Sequence, residues 1–157
     1  IHKQHLELRE LFMRHQEYLL QEEFENAIEQ LEQFNTCLDA HMELEEEHLF
    51  PEFARIERKS RWNLDLYETE HVKIRRMHEH IAAELEWLHA ESLGASDRRR
   101  NIIALLDKEK TYKGMLEHHE DREEDAMLRE LDEQLPAERL EELGSKINAG
   151  WKKAINQ

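Results

Sequence analysis

Apolar residues recur at three- and four-residue intervals along almost the whole chain, in four long stretches. That is the period of a helix with one buried face. Ile1, Leu8, Phe12 and Leu19 mark the first stretch, over about 2–20. Phe24, Ile28, Leu31, Phe34 and Leu38 mark the second, over about 22–56. Leu64, Tyr67, Ile74, Ile81, Leu85 and Leu88 mark the third, over about 64–93, and Ile102, Leu105, Tyr112, Leu116, Met127 and Leu131 the fourth, over about 97–134. A shorter fifth stretch after Pro136 carries Leu140, Leu143, Ile147 and Trp151. One Val, three Thr, four Gly and two Pro in 157 residues are too few to supply strands and hairpin turns. The fold expected is therefore all-α: an up-down-up-down four-helix bundle over 1–134, with a short C-terminal fifth helix at 135–157 packed on it or extending it. Gly94 suits a C-terminal cap and Ser96 or Asp97 an N-cap, whereas the break near Gln21 has neither Gly nor Pro to mark it.

Charge narrows the partners. Lys plus Arg number 22 against 37 Asp plus Glu, of which 30 are Glu, for a net charge of −15. Nucleic acid and anionic membranes both need a basic face, so neither is expected as a partner. No apolar run approaches the ~20 residues that span a bilayer, and no signal peptide is read, so a cytoplasmic location is expected. The single cysteine, Cys37, excludes an intramolecular disulfide and a thiolate cluster, and it reads as a small buried apolar residue. The eleven histidines are left unexplained. Histidine is a mediocre helix former, so its abundance in a helical acidic chain raises the question of a metal.

In a helical bundle, metal sites are built in the core from side chains on facing helices. The test is whether histidines and glutamates fall on the buried stripes. The chain holds four His-x-x-x-Glu pairs: His41/Glu45, His48/Glu52, His80/Glu84 and His119/Glu123. An imidazole and a carboxylate four apart stack on one helix face, one turn apart. His80 is out of register with its stripe, which makes His80/Glu84 a surface pair. His48/Glu52 spans Pro51, which disturbs the turn between them. Only His41/Glu45 and His119/Glu123 lie on core stripes, one on the second helix and one on the fourth. A buried carboxylate without a cation is costly, so its place on an apolar stripe matters.

The chain also repeats itself. Gln4-His5-Leu6-Glu7-Leu8-Arg9 aligns with Glu70-His71-Val72-Lys73-Ile74-Arg75. His41-Met42-Glu43-Leu44-Glu45-Glu46 aligns with His119-Glu120-Asp121-Arg122-Glu123-Glu124. Two helical hairpins thus each offer one His on the odd helix and one His-x-x-x-Glu on the even helix. Related by a pseudo-twofold, they supply four imidazoles and two carboxylates around one point. This set suits two closely spaced divalent metals, each taking two neutral histidines, with Glu45 and Glu123 bridging. Imidazole plus carboxylate favours iron, manganese or zinc over calcium or magnesium. Of the 30 glutamates these two are expected inside, and most of the rest on the solvated surface.

The stretch His41-Met42-Glu43-Leu44-Glu45-Glu46-Glu47-His48-Leu49-Phe50-Pro51 resembles the His-x-x-x-Glu-Glu-x-x-Leu-Phe-Pro signature of hemerythrin-like cation-binding domains. Glu70-His71 with Ile74-Arg75 resembles the family's third-helix motif, and His119 to Glu123 its fourth, so the resemblance covers roughly 2–131. It implies two iron ions, with His5 and His41 on one, His71 and His119 on the other, and Glu45 and Glu123 bridging. Oxygen-carrying hemerythrins have a further third-helix histidine where this chain has Arg75, and an Asp at a spacing of five where it has Glu at four. The symmetric set resembles bacterial hemerythrin-like proteins linked to iron-centre repair, nitric oxide response and oxygen or redox sensing, and argues against reversible oxygen carriage.

With an oxo or hydroxo bridge each metal would be five-coordinate, leaving an open position for oxygen, nitric oxide or peroxide. That makes the expected function a non-haem di-iron protein that binds or senses such molecules or handles iron. Tyr67 and Tyr112 lie on core stripes near the ligand level, and His48 and His78 are in phase but farther along, as second-layer or pore-lining residues. Two rivals are weighed. A ferritin-like centre would use Glu45-Glu46-Glu47-His48 and Glu68-Thr69-Glu70-His71, but these lie on the second and third helices rather than the second and fourth. A metal-free acidic module would bind a basic protein partner through exposed Trp62, Trp87 or Trp151.

Overall fold

The computed structural model describes residues 1–156, and every regular element among them is helical. Helix α1 spans His2–Leu20. Helix α2 runs through Phe24–Leu44, continues in a π-helical turn over Glu45–Leu49 and ends with Phe50–Phe53. Helix α3 spans Leu64–Ala90. Helix α4 runs through Ala95–Arg122, passes a second π-helical turn over Glu123–Met127 and finishes at Leu128–Gln134. Helix α5 spans Ala137–Ala154, directly after Pro136.

The unmarked break between α1 and α2 is made by Glu22, whose φ of 61° is left-handed. That conformation costs a non-glycine residue about 1–2 kcal/mol. The turn is closed by the Glu22 and Glu23 amides donating to the Leu19 and Tyr18 carbonyls, and the Glu22 carboxylate accepts from Arg98 at 2.9 Å. The punctuation expected between α3 and α4 is corrected. Helix α3 ends at Ala90, and Gly94 is the N-cap of α4 with φ −63° and ψ 157°. It lacks the left-handed backbone of a glycine C-cap, and Ser96 and Asp97 lie inside the first turn of α4.

The four long helices pack in a closed ring: α1 on α2, α2 on α3, α3 on α4, and α4 back on α1. Helix α5 lies against α2. The approach is close at Gly150, where a Cβ would overlap the Leu44 side chain. Trp151 is buried there and donates to Glu7 on α1. The expectation of three exposed tryptophans therefore fails for Trp151 and for Trp62, which is half-buried beneath Arg61. Only Trp87 stands exposed, at 49%.

Apolar burial falls into two clusters. The larger joins Leu8, Phe12, Phe34, Ile74, Leu85 and Tyr112. The smaller joins Phe50, Phe53, Tyr67, Met127, Leu131 and Ile147. Along α2, α3 and α4 a candidate ligand sits between a member of one cluster and a member of the other, and on α1 His5 lies between Leu8 and the partly buried Ile1 that precedes the helix. On α2, for example, Leu38 precedes His41 and Glu45, and Phe50 follows them. The polar layer is thus sealed on both sides by apolar side chains. Among the described residues no helix is long and apolar enough to cross a membrane.

Candidate metal centre

Seven glutamates are buried among the described residues: Glu45, Glu52, Glu70, Glu109, Glu120, Glu123 and Glu130. This corrects the expectation of two. Five of them are supplied with donors. Arg139 and Arg55 serve Glu52, His119 and Arg122 serve Glu70, and His15 and Gln16 serve Glu109. Arg9 serves Glu120, and the Lys59 and Ser60 amides serve Glu130. The remaining two, Glu45 and Glu123, are wholly buried, and none of their four carboxylate oxygens has a hydrogen-bond partner. A buried charge left in that state is strongly unfavourable without a cation.

All six side chains predicted as ligands converge at this place. His5, His41, Glu45 and Glu123 bring ligand atoms within 4.8 Å of one another, and Glu45, His71, His119 and Glu123 form a second such group. The carboxylates belong to both. Glu45 sets Oε1 3.1 Å from His41 Nε2 and Oε2 3.4 Å from His71 Nε2. Glu123 sets Oε2 3.3 Å from His5 Nε2 and Oε1 2.9 Å from His119 Nε2. The Nε2 atoms of His5 and His41 are 3.2 Å apart, and those of His71 and His119 3.1 Å. Although close, the oxygens and nitrogens are not aligned for hydrogen bonds to each other. They face common points instead. Two ligand atoms each about 2.1 Å from one ion, and roughly at right angles, would stand about 3 Å apart. The donor set can therefore hold a metal at each His pair, with each carboxylate reaching both.

The four Nδ1 atoms explain why every Nε2 faces inward. His5 Nδ1 donates to Glu124 at 2.8 Å and His41 Nδ1 to Gln4 Oε1 at 2.8 Å. His71 Nδ1 donates to Glu46 at 2.7 Å and His119 Nδ1 to Glu70 at 2.9 Å. These acceptors fix the proton on Nδ1 and turn the Nε2 lone pair toward the centre, as outer partners of metal-bound histidines do. Gln4, Glu46, Glu70 and Glu124 were not singled out by sequence reasoning. The signal was present, because Gln4 aligns with Glu70 and Glu46 with Glu124 in the internal repeat.

The electrostatics of the metal-free site reflect this crowding. Burial pushes His41 well below the usual histidine range, helped by the charges of the other three imidazoles. Burial, with the charge of His119, brings His71 down to about 4. Burial also disfavours charge on His119, but Glu123 and Glu70 outweigh it and raise it to about 9. His5 likewise rises against burial, through Glu123, Glu120 and Glu124. Burial and the neighbouring Glu123 charge raise Glu45 well above the carboxylate range. Burial opposes ionisation of Glu123 too, but the His119 and His5 imidazoles beside it hold it well below the carboxylate range. His119 therefore keeps its proton near neutrality. Metal capture must displace that proton, so affinity rises with pH.

The π-helical turns begin at Glu45 and at Glu123, the two carboxylates themselves. In each the carbonyl of the glutamate accepts from the amide five residues on, Phe50 and Leu128 respectively. Pro51 lacks an amide to donate to Glu47, which favours the register change in α2. It is not required, since Arg129 occupies the equivalent place in α4. One added residue in the turn rotates the rest of the helix about its axis. In α2 this brings Leu49, Phe50 and Phe53 inside and leaves the His48 side chain 18% exposed beside Glu47. This corrects the placement of His48 as a second-layer residue. With Glu68 also exposed, the ferritin-like pairing through Glu45/His48 and Glu68/His71 is not assembled.

The other candidates separate cleanly. The Tyr67 hydroxyl donates to the Arg122 carbonyl at 3.1 Å, beside the second register change. Tyr112 and His78 are buried together, with rings 6.2 Å apart, and face the apolar cluster rather than the six ligands. Arg75 reaches Glu46 at 3.0 Å and Asp39 at 3.4 Å, so it braces a partner of His71 and is not among the convergent groups. Cys37 is buried and free. His80 is exposed, and Glu84 pairs with Lys108 instead. His80→Ala is expected to leave metal content unchanged and stability within about 0.5 kcal/mol; loss of metal on analysis of the purified variant would refute that placement.

Between α1 and α4 lies a cavity of about 150 Å³ walled by Leu8, Phe12, Phe34, Leu38 and Leu116. The Arg9–Glu120 pair, 2.9 Å apart, stands at its edge. Leu8, Leu38 and Leu116 are each three residues from a histidine of the cluster, which puts the cavity one helical turn from the centre. Comparison of the chain with protein-family models, with curated proteins and with solved structures found no match.

Proposed function

We propose that this chain is a hemerythrin-like, up-down-up-down four-helix bundle holding two iron ions, and that it binds or senses oxygen, nitric oxide or peroxide in the cytoplasm. The observation that carries the reading is the pair of donor-less buried carboxylates, each with one oxygen toward each histidine pair. The resemblance of 41–51 to the hemerythrin-like signature favours iron, while the donor set alone also suits manganese or zinc. Bound there, two irons supply redox chemistry and open coordination positions for small ligands.

The chain's own residues supply the rest. Gln4, Glu46, Glu70 and Glu124 orient the four imidazoles. Glu45 and Glu123 bring the compensating charge. The two apolar clusters exclude water on either side of the layer. The cavity beside Leu8 and Leu116, about 150 Å³, offers a small ligand a place one helical turn from the histidines.

Expression in iron-replete medium is expected to yield two irons per chain, with an anaerobic spectrum that changes on adding oxygen and then nitric oxide. Absence of bound metal would overturn the reading and favour the acidic interaction module, for which Trp87 remains as an exposed anchor. Leu116→Phe, which fills the cavity, is expected to slow nitric oxide binding severalfold at unchanged iron content. Stopped-flow traces superimposable on the parent's would remove the cavity from the pathway.

A further inference from the structure

The two metal positions have matching inner sets: two Nε2 atoms 3.2 Å apart in one and 3.1 Å in the other, plus one oxygen from each bridging carboxylate. Any inequality between them must come from the ring of groups behind the histidines, and there the internal repeat is broken. Behind His71 and His119 stand two carboxylates. Glu46 is braced by Arg75 at 3.0 Å, and Glu70 by Arg122. Behind His5 stands Glu124, about as exposed as Glu46 (34% against 38%) but backed by His2, itself 69% exposed, where Glu46 has an arginine. Behind His41 stands a neutral amide, Gln4, whose Nε2 is buried without a partner.

A carboxylate accepting from Nδ1–H makes the imidazole a stronger metal ligand than a neutral carbonyl does. Arg75 and Arg122 share some of that charge, but they hold both carboxylates in place. On the other side one acceptor is uncharged and the second is held by a solvated partner. We infer that the two positions are unequal: the His71–His119 position binds its metal tighter and fills first, the His5–His41 position holds the exchangeable ion, and the Gln4/Glu70 difference sets the gap. This rests on the two-metal reading above. Gln4 and Glu70 act as positioning residues, through His41 and His119. The functional consequence is a stable state with one metal bound, in which the second ion can be exchanged for another metal or withdrawn by a competing chelator.

The test is an anaerobic titration of the metal-free full chain with Co(II), followed by calorimetry and by the visible absorption of the bound ion. The parent is expected to take up two ions in two resolved steps, at least about tenfold apart in affinity. His71→Ala is expected to lose the tight step and His41→Ala the weak one. Glu70→Gln, which keeps the shape and an acceptor oxygen for His119, should weaken the tight step by about 10–100-fold and draw the two together. Gln4→Glu should tighten the weak step, and it serves if Glu70→Gln fails to fold. Two ions entering the parent in one unresolved step would overturn the inequality while leaving the two-metal reading intact. Equal weakening of both steps by Glu70→Gln would remove that residue's role. Uptake of fewer than two ions would overturn the two-metal reading itself.

Discussion

Glu45→Ala is expected to cost the protein both metal ions, whereas His41→Ala weakens one position first. The reason is the shared geometry. Glu45 Oε1 faces His41 and Oε2 faces His71, so removing the side chain takes a ligand atom from each position. The loss should exceed the ~100-fold that marks the upper range for outer partners. Glu123→Ala should do the same, through His5 and His119. The two variants separate once metal is removed. In the metal-free protein burial and the Glu123 charge push Glu45 well above the carboxylate range, so its removal disturbs less buried charge. Glu123 is held well below that range, and it raises the His119 and His5 beside it. Glu123→Ala should therefore destabilise the metal-free chain by about 3–5 kcal/mol, and Glu45→Ala by clearly less. Metal analysis and urea unfolding in the presence of chelator measure the two effects. Retention of both metals by Glu45→Ala would end the bridging assignment.

The second large effect lies away from the centre. His15 and Glu109 are both wholly buried and face each other at 2.7 Å. His15 Nδ1 donates to the Ala27 carbonyl at 2.8 Å, and Glu109 also accepts from Gln16. The group ties α1 to the start of α2 and to α4. His15→Leu leaves Glu109 buried with Gln16 as its one remaining donor, and breaking such a pair costs about 3–5 kcal/mol. A fall in Tm on the order of 10 °C is expected for a chain of this size. Metal content should stay the same, because ten residues of helix place His15 about 15 Å along α1 from His5. Changing Glu109→Leu in the same chain should restore most of the lost stability, since replacing both members of a buried pair by apolar groups is often neutral or better. If the double variant is no more stable than His15→Leu, the pair is not a coupled unit.

How far the site was legible depends on what each feature requires. His41/Glu45 and His119/Glu123 could be picked out because a four-residue spacing on an apolar stripe is a local property. His5 and His71 emerged from the repeat. The partners of their Nδ1 atoms lie 25 to 119 residues away in the chain. They were visible only as unremarked members of aligned motifs. Glu52, Glu70, Glu109, Glu120 and Glu130 looked like surface acids, since the cations and amides that make their burial tolerable sit on other elements.

The amino-acid sequence by itself determined the helical class, the helix stripes and the six side chains that converge at the candidate centre, because all three depend on periodicity and internal repetition. Only the tertiary structure decided the π-helical turns at Glu45 and Glu123, the outward rotation of His48, the burial of Trp151 and the unequal support behind the two histidine pairs. A register change in a helix is unfavourable locally and persists only when neighbouring helices reward it with packing. Likewise, whether a glutamate is buried depends on a donor arriving from another helix. Such contacts exist only once the helices have packed.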